Sequence, residues 1–413
     1  MMLRGFYFFV LIFILVNCGS PREESSQIKS LGQTDDRILG VNALNLIDDH
    51  SFEDKNHLGK KHWQETIDYA AWLNAKFIRV TASYEPGQLD RARGLANRLC
   101  SYFSYNKNVK YLVAMSDMTI AGRVENSAYK AVKMWHEGKG LQTDFWIYTK
   151  EFMNSVNKRC PEAIYAWETS NEARCDDCIN KPEYGFSMQE RNMRMKHYED
   201  FLLSYATEVA KLRQPGQLFG LGIIRAGWAS AYYLNGVQHG GFDNGRGKIN
   251  NDFRDETELL AGSPHIGVNW LKVYSHPDID FITLHFYGLL DASPFRGQGL
   301  DISPAILDSL YHFSSDLQMA KVTGKAIMLE EFGSTPHDTG DKNKDKLREV
   351  RKESFLQIIK WAASQNIKYL VPWQATFHRW QRTGLSWFDG SCYYDKNASQ
   401  SQRCQIERAL QSY

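Results

Sequence analysis

Two periodicities alternate along the chain. Short, nearly continuous apolar runs occur at LGVNALN (39–45), KFIRVT (76–81), KYLVAMS (110–116) and IYAWETS (164–170). The series continues with LFGLGII (218–224), DFITLHF (280–286), AIMLEEF (326–332) and KYLVPWQ (368–374). Apolar runs of this length read as buried strands. Longer helical patterns separate them, at 62–74, 88–105, 145–160, 187–213, 265–275, 303–320 and 346–365. In the first of these, Trp63, Ile67, Ala70, Ala71 and Asn74 recur at helical spacing.

Strands that alternate with helices are parallel and joined by crossovers. Eight such units in 413 residues predict an α/β fold, a (β/α)8 TIM barrel. A doubly wound open sheet is the alternative. It would carry a Gly-rich nucleotide loop after its first strand, and GVNALN is no such loop. The stretch 226–262 is rich in Gly and Asn and lacks periodicity, so it predicts a long insertion on the loop after the fifth strand.

A barrel places its chemistry at the C-terminal ends of its strands. Polar residues line up there: Arg79 on the second strand, Asn171 and Glu172 after the fourth, His285 and Tyr287 at the sixth. Glu330 and Glu331 sit on the seventh, Trp373 and Gln374 on the eighth. The segment WETSNEARCDDC (167–178) shows the pattern most sharply, because an apolar strand runs directly into Asn, Glu and Arg. Burying unpaired charge is costly, so this placement implies a rim where substrate and water reach the carboxylate.

Composition narrows the partners. The formal net charge is +1, so no strong field draws nucleic acid or anionic lipid. Eleven Trp, 21 Tyr and 22 Phe fill the core for the most part, and their flat faces also suit stacking on sugar rings. The N-terminus changes the picture further. Arg4 precedes the apolar run FYFFVLIFILV (6–16), which is short for a bilayer span and suits a signal peptide. It ends at LVNC, and this resembles a bacterial lipobox in which Cys18 is lipidated. Asn17 stands where Gly or Ala is usual, as in the relaxed lipoboxes of spirochaetes. The expected organisation is a signal peptide at 1–18, a flexible tether at 19–36 and one catalytic domain at 37–413. The protein is then exported and held by lipid at the outer membrane or cell surface.

The rim residues resemble those of the family 5 glycoside hydrolases. WETSNEARC is similar to the fourth-strand motif of the β-mannanase branch, and FIRV, ITLHFYG, MLEEFG and VPWQ match on strands two, six, seven and eight. The resemblance spans about residues 37 to 380, most of the barrel. It implies a retaining hydrolase of β-1,4-mannan in which Glu172 is the general acid/base and Glu331 the nucleophile, with the two carboxyl groups about 5–5.5 Å apart. It implies that Arg79 keeps Glu331 ionised and that Asn171 binds the sugar 2-hydroxyl. Tyr287 would bond Glu331, His285 would contact the sugar or Glu172, and Trp373 would floor the reacting sugar. Arg174 and Trp228 would line the cleft. Two positions depart from the family pattern: Ala173 replaces a Pro, and the third strand ends in Ser116-Asp117 without a His. The same resemblance leaves open a β-glucanase, and a silent carbohydrate-binding lipoprotein is the reading from another class.

Strand side chains alternate faces, so only one of Glu330 and Glu331 is expected to point inward. The resemblance selects Glu331 and leaves Glu330 as a paired structural carboxylate. Glu168, four residues before Glu172, reads as structural and bonded to an inward Arg. Six cysteines besides Cys18 allow fifteen pairings in an exported chain. Zinc would need a second pair near Cys175 and Cys178, and none exists, so a local bridge is expected there, like one in the mannanase branch. The economical remainder is Cys100 with Cys160 and Cys392 with Cys404. No cofactor or metal is expected, and the chain is expected to act as a monomer on a polysaccharide.

Overall fold

Eight parallel strands form the frame of the computed structural model. It describes residues 37–56, 59–85, 87–116, 138–171, 187–223, 231–234, 237–240, 268–286, 314–333, 344–373 and 391–413. In chain order the frame strands are β1 (Ile38–Asn42), β2 (Phe77–Thr81), β3 (Lys110–Ala114), β4 (Ile164–Glu168), β5 (Leu218–Gly220), β8 (Phe281–Phe286), β9 (Ala326–Phe332) and β10 (Tyr369–Pro372). They pair in the order β5-β4-β3-β2-β1-β10-β9-β8. The two edges then meet. Asp280 N donates to Phe219 O at 2.8 Å, and the Thr283 hydroxyl donates to Ile223 O at 2.7 Å while accepting from Ile223 N at 2.9 Å. With these bonds the sheet nearly closes into the predicted (β/α)8 barrel.

The surrounding helices are α1 (His62–Trp72), α2 (Leu89–Tyr105), α3 (Asp144–Arg159), α4 (Met188–Leu212), α5 (Trp270–Tyr274), α6 (Ser314–Thr323), α7 (Lys344–Ser364) and α8 (Gln402–Gln411). Their starts and stops follow local chemistry. Ser187 and Glu190 form a capping box ahead of α4. Asn74, at φ 62°, ends α1 in the left-handed conformation that Asn tolerates. The helix expected over 265–275 is the short α5, and α8 has no counterpart in the sequence reading. Within 226–262, where no regular structure is expected, β6 (Ala231–Leu234) pairs antiparallel with β7 (Val237–Gly240).

Alternation sorts the side chains into two cores. Ile78, Val80, Ile282, Leu284, Leu329 and Leu370 face the helices in the large outer core. Phe77, Leu112, Ala166, Phe281, Met328, Tyr369 and Val371 fill the barrel interior. A Cβ on Gly40 would come within 2.4 Å of the Phe77 ring, so β1 must be bare there for that ring to fit. Two residues further along these strands the interior turns polar, at Arg79, Glu168 and Glu330.

Cys100 on α2 and Cys160 after α3 are bonded, with Cα atoms 5.7 Å apart. Cys392 and Cys404 are also bonded, with Cα atoms 4.9 Å apart. Cys18, Cys175 and Cys178 lie outside the described residues. No described helix is long and apolar enough to cross a membrane.

Candidate active site

Arg79 is the centre of the polar layer. It lies two residues after the interior Phe77, so β2 turns it inward, and it is fully buried. Its Nε donates to Glu168 Oε2 at 3.0 Å, and Nη1 donates to Glu331 Oε1 at 2.6 Å and to Asn42 Oδ1 at 3.3 Å. Nη2 donates to Asn171 Oδ1 at 2.9 Å and lies 3.1 Å from Glu330 Oε2. Strands β1, β4 and β9 thus converge on one planar fork of donors carried by β2. Burial opposes the guanidinium charge, but the Glu331 charge and the hydrogen bonds to Glu168 and Glu331 outweigh it and raise the Arg79 pKa above its ordinary value.

Glu330 and Glu331 correct the sequence reading, because both carboxylates reach Arg79. The cause is a β-bulge. Leu329 pairs with Leu284 and Glu331 with the next residue, His285, so β9 carries one more residue than β8. The same surplus appears against β10, where Leu370 pairs with Leu329 and Pro372 with Phe332. Strict alternation from the interior Met328 turns Glu330 inward, and the extra residue then turns Glu331 inward as well.

His285 sits between the two glutamates. Its Nε2 is 2.9 Å from Glu330 Oε2 and its Nδ1 is 3.5 Å from Glu331 Oε2, with the side chain buried. Glu172, one of the partners expected for His285, lies outside the described residues. Glu168 does bond an inward arginine, as expected, and that arginine is Arg79. Trp373 follows β10, half-buried, with its backbone N–H donating to Phe332 O at 2.9 Å. Glu172, Arg174, Trp228 and Tyr287 lie outside the described residues.

Asn42 is a site residue that the sequence reading does not single out. Besides accepting from Arg79, its Nδ2 donates to the backbone of Glu330 at 2.7 Å and of Val371 at 3.2 Å. It ties β1 to the bulge. The available signal was a lone polar residue at the end of an apolar strand.

Chemically, the arrangement fixes one carboxylate. Glu331 is held by a short charge-assisted bond to a cation that cannot leave, at the C-terminal end of a barrel strand. Such a contact favours the charged form and fixes the orientation, as a nucleophile or an electrostatic stabiliser needs. Fold and site together define a (β/α)8 barrel with an arginine-centred carboxylate cluster at the C-terminal ends of its strands.

No protein-family model and no curated protein matches the sequence. Among solved structures, the fold is similar to that of the hyperthermostable endo-1,4-beta-D-mannanase from Thermotoga petrophila RKU-1, crystallised with maltose and glycerol. The TM-score is 0.53 at 16% identity, over 82% of this chain and 88% of that one. A second structure of an endo-beta-1,4-mannanase from Thermotoga petrophila gives 0.51 at 15% identity, over 82% of this chain and 68% of that one. Identities this low establish a shared barrel.

Proposed function

We propose that this protein is a retaining glycoside hydrolase of family 5 that cleaves internal β-1,4-mannosidic linkages. The observation that carries the reading is the Glu331 carboxylate, held at 2.6 Å by the buried Arg79 that also holds Asn171, the residue before Glu172. The two similar barrels are endo-mannanases, which agrees with the motif resemblance.

In the first step Glu331 attacks the anomeric carbon while Glu172 gives its proton to the departing glycosidic oxygen. A covalent glycosyl-enzyme results. In the second step Glu172, now a carboxylate, takes a proton from water as the water oxygen attacks the same carbon. Glu331 leaves as a carboxylate, and Glu172 is reprotonated. Arg79 serves both steps by favouring the charged form of Glu331. Asn171 is assigned the sugar 2-hydroxyl, a contact that strengthens as the oxocarbenium character grows.

The proposal includes the N-terminus. Cys18 carries lipid, residues 19–36 form a tether, and the monomeric barrel works at the outer membrane or cell surface. Incubation with β-mannan, glucomannan, cellulose and β-1,3-glucan tests the function. Mannan and glucomannan should be cut into oligosaccharides of mixed length. Turnover of cellulose alone would transfer the reading to a β-glucanase, and tight binding without turnover would remove the catalytic reading.

A further inference from the structure

One guanidinium faces three carboxylates. Glu168, Glu330 and Glu331 each have an oxygen within 3.1 Å of Arg79. His285 adds a second contact for Glu330 and Glu331 only. Glu168 has one described hydrogen bond, from Arg79 Nε, and its Oε1 is buried with no donor among the described residues. Among the described residues, the elements around it offer no second cation. Ala114 pairs with it from β3. Gly222 lies beside it after β5, where a Cβ would come 3.5 Å from Glu168 Oε2. From α5 comes Tyr274, whose pKa burial raises far above the ordinary phenol value, and from β9 comes the Glu331 charge. An ionised carboxylate with a buried oxygen that no described group bonds is far costlier than a neutral one.

We infer that Glu168 is a positioning residue that stands as a neutral carboxylic acid and so leaves the Arg79 charge to Glu330 and Glu331. Its Oε2 still accepts the Nε–H bond in that form, which fixes the plane of the guanidinium. Burial pushes the Glu168 carboxyl up from 4.5 to about 7, with the Arg79 charge pulling it down and Glu331 adding to the rise. What the undivided Arg79 charge is for rests on the proposed reaction, where it makes Glu331 a better leaving group in the second step. The proton on Glu168 does not rest on it.

The test compares the full chain with its Glu168→Gln variant by infrared difference spectroscopy and thermal melting. At about pH 6 the wild type should show a carboxylic-acid C=O band that the variant lacks. The band should fade as pH rises through about 7. The folded pKa is raised above the unfolded one. The stability this group contributes is therefore full below the unfolded value and is lost as pH rises through the folded value. The wild-type Tm should accordingly fall against the variant's, by on the order of 3 °C, between about pH 5 and pH 8. A missing acid band, or a Tm gap constant over that range, overturns the inference. If the variant does not fold, 13C NMR of carboxyl-labelled Glu in the wild type reads the same proton. One carbon titrating near 7 that persists in the Glu172→Gln chain supports it, and none titrating above about 5 in that chain refutes it. These readouts need no substrate, so a failed hydrolysis assay leaves them standing.

Discussion

A guanidinium inside a barrel would be prohibitive alone, and here its partners are supplied from three other strands, β1, β4 and β9. Arg79 is fully buried, and its donors meet Glu168, Glu330, Glu331, Asn171 and Asn42. Removing one member of such a network strands the rest, so Arg79→Met should cost several kcal/mol of stability as well as activity. Glu331→Ala should lose nearly all activity and regain part of it with azide, which replaces the missing nucleophile. Glu172→Ala should keep turnover on aryl glycosides with good leaving groups, which need no acid in the first step. Steady-state assays on both substrate types check this pair, and indifference of both variants on both would remove the assignment. At this scale the sequence is informative where chemistry is concentrated. Asn171-Glu172 and Glu331-Phe332-Gly333 stand out against apolar strands. Asn42 does not, because its work is with the backbone of distant strands, and one residue type carries no sign of that.

Two bulges shape the elements. On β4, Tyr111 pairs with Ile164 and Leu112 with Ala166, so Tyr165 is the extra residue. Its ring stacks on Phe77 at 4.7 Å and meets Tyr369 edge-on at 6.1 Å. The bulge on β9 does the same for a carboxylate, at Glu330 and Glu331. The strands themselves are legible because buried parallel strands are short continuous apolar runs. The bulges are not, because either neighbour of Met328 and Leu329 fits an alternating pattern until the register of β8 and β10 is known. The end of the fifth strand is hidden for a similar reason. Its apolar run 218–224 is regular strand only over Leu218–Gly220, because Gly222 turns at φ 67°. A Cβ there would come within 1.8 Å of Ser170 O. Gly222→Ala should therefore destabilise the fold by about 2–4 kcal/mol and slow hydrolysis by displacing the segment that leads into Asn171. Denaturant melts and kcat on the same preparation check both halves.

On the scale of the whole molecule, the C-terminal segment holds the barrel together from outside. Glu407 on α8 is fully buried. Its Oε1 accepts from Tyr69 at 2.8 Å, Ser391 at 2.6 Å and Arg403 at 2.9 Å, and its Oε2 accepts from Cys392 N at 2.8 Å. Glu407→Ala should cost about 3–5 kcal/mol in a denaturant melt while leaving kcat unchanged on the folded protein. The proposed lipid anchor belongs to this scale too. Cys18→Ser should move the protein from the detergent phase to the soluble fraction, and unchanged partitioning would defeat the lipobox. Barrel closure also brings strands β4 and β9 to one centre although they are far apart in sequence, and the proposed reaction depends on that. The anomer released first from β-mannan, followed by NMR, tests the proposed reaction most directly. Double displacement through Glu331 predicts that the β-anomer appears first and then mutarotates, whereas initial release of the α-anomer would mean single displacement and contradict the account.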